Sequence, residues 1–312
     1  MRANHAKDRS KERNKTYLLA GQPVEAPGLA AGLYIVATPI GNLRDITLRA
    51  LETLAAADLI ACEDTRVTRR LLDHYGIATP LTPYHEHNAA AARPKLLAHL
   101  AAGESVALVS DAGTPLVSDP GFKLVREVRG AGLTIIALPG ASATLAALAS
   151  AGLPTDRFFF EGFLPAKQGQ RKNRIAELVR IPATLILFES GPRLPDALAN
   201  LAAGLGGREA AVCRELTKLH EEIRRGTLTE LAQAYADGAE TRGEIVIVIA
   251  PPDADAAVLD ENEIDAMLRR ALDRASVKDA VSEVASATGR PRREIYARAL
   301  ALTRESDDGK AR

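Results

Sequence analysis

The chain has 312 residues, 46% of them hydrophobic and 26% charged, and its 40 basic and 40 acidic side chains balance to a formal charge of zero. That composition excludes a fibre and a disordered chain, predicts about two domains, and lets the net charge argue neither for nor against a polyanionic partner. Only Cys62 and Cys213 occur, too few for a disulfide framework or a paired-cysteine metal site, which fits a reducing cytoplasm.

Residues 1–31 read as a disordered basic arm. Arg2, Lys7, Arg9, Lys11, Arg13 and Lys15 face only Asp8 and Glu12, and Pro/Gly punctuation follows with no periodic apolar face. No apolar core follows these charges, so no signal peptide is expected. Over residues 32–153 short apolar runs alternate with helical spacing. LYIVAT (33–38), DLIAC (58–62), SVALVS (105–110) and LTIIAL (133–138) are apolar on both faces, while Leu48, Leu51 and Leu54, then Leu71 and Leu72, then Phe122, Val125 and Val128 suit crossover helices. The uncharged stretch Gly130 to Thr155 is long enough to span a bilayer. Pro139-Gly140 interrupts it, so a strand, a turn and a small-residue helix from Ser142 to Ala151 explain it, and no membrane partner is expected.

Residues 154–252 read as a second lobe, with strands at 158–163, 184–189, 210–215, 220–225 and 244–250 and helices near 171–180, 193–203 and 227–237. Its short connections predict a mixed sheet. Residues 253–304 become helical and helix-turn-helix-like, broken at Gly289 and Pro291, and 305–312 form a tail. The fold class is α/β, two lobes flanking a shared cleft, plus this helical segment. Residues 269–304 carry nine basic side chains against four acidic ones, so both chain ends suit a polyanion.

The Rossmann, P-loop, zincin and serine-hydrolase signatures are missing from the sequence. Instead, Gly/Pro-rich turns follow three strands of the first lobe: TPIGNL (38–43), SDAGTPLVSDPG (110–121) and LPGASA (138–143). In a parallel sheet all three converge on the rim beyond the strands' carboxyl ends, where ligands bind. Polar groups also end apolar strands: CEDTR (62–66), YHEHN (84–88), FESGPR (188–193) and CRELTKLHEE (213–222). Lys167, Arg171, Lys172 and Arg174 form a basic loop after the aromatic strand, suited to phosphate. His85 and His87 lack a third metal ligand of suitable spacing, so no metal is expected.

Taken in order, TPIGNLRDITLRAL, EDTRVTRRLL, HEHN, SDAGTPLVSDPG, LPG, GLPTDRFFFEGFLP, CRELTK and GEIVIVI resemble the tetrapyrrole-methylase-like, class III S-adenosylmethionine-dependent methyltransferases. Within them the likeness is to the subgroup that methylates a cytidine 2'-hydroxyl of small-subunit (16S) ribosomal RNA. The resemblance implies a homodimer with S-adenosylmethionine in the inter-lobe cleft. Its contacts would be Pro39, Gly41, Asp111, Gly113, Thr114, Pro115, Gly140, Ala141 and Ser142 from the first lobe, and residues near Phe188 and Gly243 from the second. Two positions depart from the family pattern: Ala141-Ser142 follows LPG where relatives usually have Pro-Ser or Pro-Cys, and Pro192 stands where they often have His.

The chemistry implied is in-line methyl transfer, which demands alignment and a group to take the hydroxyl proton. Glu63, Asp64, Glu189, Glu215 and Lys218 are candidates for that group, with Arg66 and Arg193 holding phosphate or orienting carboxylates. Base stacking falls to Tyr84, Phe163 or His85. Lys167, Arg171, Lys172, Arg174, Arg292 and Arg293 would contact the rRNA or the assembled small subunit. The alternatives are a tetrapyrrole methylase, which would want an apolar cleft, and a non-catalytic RNA-binding or ribosome-assembly protein.

Overall fold

The computed structural model describes residues 15–236, 241–252, 261–288 and 291–310. Its first element is a hairpin, β1 (Thr16–Leu19) and β2 (Gln22–Glu25), in antiparallel register from Thr16 opposite Glu25 to Leu19 opposite Gln22. The expectation of a disordered arm through residue 31 is therefore corrected for this part; residues 1–14 lie outside the described residues. The chain reverses over Ala20 and Gly21, both at positive φ (50° and 79°), the backbone that a tight hairpin with right-handed twist requires. Tyr17 anchors it, 3% exposed in one core cluster with Leu51, Leu54 and Leu72. A four-residue strand with one inward side chain leaves almost no periodic signal, which is why the sequence hid it.

Five strands then form a wholly parallel sheet: β3 (Gly32–Val36), β4 (Leu59–Cys62), β5 (Leu81–Pro83), β6 (Ser105–Val109) and β7 (Ile135–Leu138), in spatial order β5-β4-β6-β3-β7. The intervening helices are α1 (Leu48–Ala56), α2 (Thr65–His74), α3 (Ala89–Ala101) and α4 (Phe122–Gly130). Successive side chains of β3 feed opposite faces, as strand geometry dictates. Tyr34 and Val36 join Leu51, Leu54, Leu71 and Leu72 of α1 and α2, whereas Leu33 and Ile35 join Leu96, Leu100, Leu124 and Val128 of α3 and α4. Both faces are covered, so the strand is buried throughout. β5 and α3 have no counterpart in the sequence reading. β5 has three residues, and α3 carries Pro94 in its interior and buries only Leu96 and Leu100.

The second sheet is mixed, as expected: β8 (Phe158–Phe163), β9 (Thr184–Ser190), β10 (Glu209–Arg214), β11 (Glu222–Thr227) and β12 (Glu244–Ile249) lie in the order β11-β10-β12-β9-β8, with only β8 and β9 parallel. A helix between β7 and β8, α5 (Ala143–Ala151), precedes the expected boundary at 153 but packs on this sheet. Its Ala147, Leu148 and Ala151 share a core with Ile186, Ala211, Cys213, Val246 and Val248. A helix without charges is buried by whichever sheet lacks a cover, and here that is the second. The remaining helices of this region are α6 (Gln168–Leu178), α7 (Leu194–Leu205) and α8 (Leu228–Ala236).

Both sheets belong to one compact unit, the described residues to Ile175 with Thr184–Ala250. A second unit takes Ala176–Ala183 and the described residues from Pro251, with helices α9 (Glu261–Leu272), α10 (Val277–Thr288) and α11 (Arg292–Lys310). Its helices enclose their own core of Ile264, Leu268, Val281, Val284, Ile295 and Leu302. Ser276 and Asp279 cap α10: the Asp279 amide donates to Ser276 Oγ (3.3 Å) and that hydroxyl to Asp279 Oδ2 (2.6 Å). Arg298 of α11 grips Asp265 of α9 through two bonds of 2.6 and 2.9 Å. α11 runs on to Lys310, so the expected tail from 305 is helical. Among the described residues no helix is long and apolar enough to cross a membrane.

If the hairpin is part of the core, Tyr17→Ala should cost about 3 kcal/mol in urea denaturation, the scale for truncating a buried aromatic. An unchanged midpoint would return the hairpin to a dispensable arm.

Candidate active site

The carboxyl ends of β3, β6 and β7 carry the Gly/Pro turns, and hydrogen bonds fasten those turns to one another and to the end of β4. Thr38 and Gly113 exchange two backbone bonds of 2.9 Å, an isolated bridge between the first and second turns. Thr38 Oγ1 donates to Ser110 O (3.1 Å), Thr114 Oγ1 to Ala141 O (3.2 Å), and the Asp64 amide to Asp111 Oδ1 (2.9 Å). Within the second turn Leu116 and Ser118 hold positive φ (75° and 61°), a conformation that non-glycine residues keep only when their surroundings impose it.

These turns form one wall of a cavity of about 290 Å³, and the second sheet forms the other. Ile40, Ala112 to Thr114, Val117 to Asp119 and Ser142 to Thr144 face Phe163, Phe188 to Ser190, Cys213, Leu216 and Gly243 to Val246. Of the residues expected to hold a cofactor, Gly113, Thr114, Ser142, Phe188 and Gly243 line this space. Pro39, Gly41, Asp111, Pro115, Gly140 and Ala141 do not, and they shape the turns instead. A Cβ on Gly140 would meet that of Ala37 at 2.7 Å, so this glycine lets the third turn cross β3. Gly41 admits the stem of Lys218, whose Cγ would lie 2.4 Å from an added Cβ. Asp111 spends one oxygen on the Asp64 amide.

Two of the residues that line the cavity also hold a buried polar atom without a hydrogen-bond partner, Thr144 Oγ1 and Glu189 Oε2. Glu189 is 3% exposed. Its Oε1 accepts from the Ser190 amide (2.8 Å) and faces Arg193 Nε (3.3 Å), and Arg193 also donates to Leu164 O (2.7 Å). Arg193 is thus a tie between β8 and β9, not a free phosphate ligand. Thr144 was not foreseen; an Ala-Thr dipeptide at a helix start carries no signal of its own.

The other expected acid–base residues fall into two groups. Asp64 caps α2, accepting from the Arg66 amide (2.8 Å), and pairs with the Arg66 side chain, which holds its carboxyl down to about 2. Arg66 is 86% exposed, so this pair belongs to the surface and Asp64 is no base. Glu215 accepts from Lys218 Nζ (2.8 Å) and the Glu244 amide (2.9 Å), and Lys218 reaches Glu244 Oε2 as well (2.9 Å). Burial alone would raise the Glu215 carboxyl, but Lys218, the Glu244 amide and Arg214 outweigh it and hold it low. Burial likewise opposes the Lys218 charge, and its two carboxylate partners win and raise it. Lys218 is therefore held as a cation, which counts against its candidacy as the group that takes the hydroxyl proton.

Conversely, burial pushes Glu63 up, with Asp111, Asp119 and Asp64 adding to it, and burial pushes Asp119 up against a hydrogen bond with Ser110. Asp119 lines the cavity and Glu63 does not. Burial raises the Cys213 thiol to about 11, so it offers no thiolate there.

The basic loop is corrected in two of its four residues, and it is a helix. Arg171 is 5% exposed near Asp196, and Arg174 holds Glu161 through bonds of 2.6 and 2.7 Å, leaving Lys167 and Lys172 outside. Tyr84, 2% exposed, cannot stack on a base, whereas Phe163 is 54% exposed beside Phe188. His85 stays half-buried. In the helical unit Arg292 and Arg293 are exposed at the start of α11.

The sequence profile of the tetrapyrrole (corrin/porphyrin) methylases matches residues 32–232, and that of the RsmI C-terminal HTH domain matches residues 258–303. The ribosomal RNA small subunit methyltransferase I of Mesorhizobium japonicum is 53% identical over 92% of this chain and 97% of its own. Its Pseudomonas aeruginosa counterpart is 45% identical over 87% and 97%. Among solved structures, diphthine synthase superposes with a TM-score of 0.55 at 19% identity, covering 70% of this chain and 89% of its own, and the methyltransferase CobJ with 0.53 at 21%, covering 71% and 94%. These two likenesses show the fold.

Glu215 stays ionised below its ordinary value of 4.5, so its contribution to stability is full above that pH and is lost as pH falls through the lower, folded value. Lys218→Met should raise the carboxyl's titration midpoint toward or above 4.5, read by NMR of the Glu215 side chain. A midpoint that stays put would remove Lys218 as its partner.

Proposed function

The chain belongs to the tetrapyrrole (corrin/porphyrin) methylase family, and on that premise we propose that it transfers the methyl group of S-adenosylmethionine to a cytidine 2'-hydroxyl of small-subunit ribosomal RNA. The observation that carries the reading is the cavity itself. Its walls are pre-fastened Gly/Pro turns on one side and largely apolar strand ends on the other. The names of the relatives and the intact turns favour this over tetrapyrrole methylation and over a non-catalytic RNA-binding role.

When bound, S-adenosylmethionine supplies an activated methyl group. Gly113, Thr114, Ser142, Phe188 and Gly243 would hold it. The chain's own work is to align the hydroxyl and take its proton. Asp119 suits the second task better than the other carboxylates, since it lines the cavity and its burial makes it the stronger base. Lys218, bonded to both Glu215 and Glu244, holds these two carboxylates in place and has no charge to spare for phosphate. Phe163 offers a stacking face. Lys167, Lys172, Arg292 and Arg293 supply the phosphate contacts. We take the protein to act as a cytoplasmic homodimer on the small subunit or its rRNA; exposed Phe122 and Leu145 are apolar surface a second copy would cover.

The direct test supplies methyl-labelled S-adenosylmethionine and small subunits from cells lacking this protein, followed by nucleoside analysis. Label is expected in 2'-O-methylcytidine; label on a base, or none, would overturn the reading. Asp119→Asn should lower turnover by about 10²-fold or more while weakening cofactor binding far less. Equal losses would move Asp119 into the cofactor's contacts.

Arg292→Ala together with Arg293→Ala should weaken RNA binding and reduce the slope of log K against log salt by about 0.7 to 0.9 for each phosphate no longer neutralised. A slope that does not move would give these arginines no part in binding.

A further inference from the structure

In the helical unit α10 ends at Thr288 and α11 starts at Arg292, the short break of a helix-turn-helix, with α11 as the second helix of the pair. The inner side of α11 is taken by the unit's own core, where Ile295, Ala299 and Leu302 are buried. Residues three, four and seven apart share a helix face, so Arg292, Arg293, Tyr296 and Leu300 fall along the outer side. Tyr296 is 48% exposed and Leu300 37%, and the Tyr296 side chain has no hydrogen bond or ring contact among the described residues. Two arginines of this unit are engaged in ion pairs, Arg274 with Glu283 and Arg298 with Asp265. Arg292 and Arg293 are instead exposed, without a carboxylate partner among the described residues. Glu294 stands two positions before Tyr296, across the helix from it.

A helix that reads duplex DNA lies in the major groove, whereas the major groove of an RNA duplex is too deep and narrow for side chains to read. A helix-turn-helix that acts on RNA therefore finds its bases where they are unpaired. We propose that the outer side of α11 binds a single-stranded stretch of RNA, with an unpaired base stacked on the Tyr296 ring and packed against Leu300, and with Arg292 and Arg293 on the flanking phosphates. The inference rests on the reading of RNA as the substrate and adds to it the kind of RNA this helical unit takes. A phenol ring offers its face to any base, so the contact favours unpaired nucleotides without selecting a sequence. The two unpaired arginines decide for a polyanion over a second copy of this chain, because an apolar interface between copies would bury their charges uncompensated.

The test measures binding of the full-length protein to a short mixed-sequence single strand of RNA, and to that strand annealed to its complement, over a series of salt concentrations. Tyr296→Ala should weaken single-strand binding by about tenfold, the scale of one base stacked on an aromatic ring, and leave the slope of log K against log salt unchanged, since no cation is lost. Tyr296→Phe keeps the ring and should bind as the wild type does. Duplex binding should respond to neither change. Failure of the wild type to bind the single strand, wild-type affinity in Tyr296→Ala, an equal loss in Tyr296→Phe, or an equal loss on the duplex would overturn the proposal. So would a Tyr296→Ala protein whose only change is its oligomeric state in sedimentation, which would give this face to a second copy. The methyl-transfer reading fails differently, by the absence of label in 2'-O-methylcytidine, whatever Tyr296 does to RNA affinity.

Discussion

The pair of backbone hydrogen bonds between Thr38 and Gly113 is the constraint on which the site depends. A parallel sheet gathers its carboxyl-terminal loops at one rim but does not fix their shapes. Here the bridge joins the loop after β3 to the loop after β6, Thr114 carries the connection to the loop after β7, and Asp111 carries it to the end of β4. Four strand ends thereby become one piece of surface. Leu116 and Ser118 keep their positive φ within one of the loops so joined. Binding to such a wall requires little ordering of backbone, so contacts made to it are not spent on freezing loops.

Electrostatics divides the acidic residues by what stands next to them. Asp64 and Glu215 each have a cation and a backbone amide, and remain charged and occupied. Glu63 and Asp119 have burial and other acids around them, and their protons are held more tightly. Motif spacing alone could not separate these groups, because EDTR and RELTK both place an acid beside a base. The difference lies in exposure and in which amides point inward, and both follow from how the loops close.

The parallel sheet was legible because its strands are buried on both faces and read as unbroken apolar runs. The mixed sheet was legible from the short connections around β10 to β12. What escaped notice had too few residues or too little contrast: β1 and β2 with one inward tyrosine, the three-residue β5, and α3 with Pro94 and a largely alanine face. Cavity-lining residues were legible when glycine or proline marked the turn, as at Gly113, whereas Gly243 entered only through the family resemblance. They were not legible when a small polar residue such as Thr144 sat at the start of a helix whose partner sheet lay farther along the chain. The basic stretch after β8 misled for a related reason: a helix turned Arg171 and Arg174 inward while Lys167 and Lys172 stayed out.

Gly41 lies in the turn after β3 and Lys218 in the loop after β10, and the missing side chain of one makes room for the aliphatic stem of the other. Both carboxylates that anchor the lysine's ammonium group, Glu215 and Glu244, belong to the second sheet's side of the chain, so the lysine's charge is fastened there while its stem rests against a turn of the first sheet. Any widening of the gap would uncover the stem before disturbing the charge. The contact of a glycine with a lysine stem thus couples the first sheet's turn to the second sheet's charges without a hydrogen bond between them.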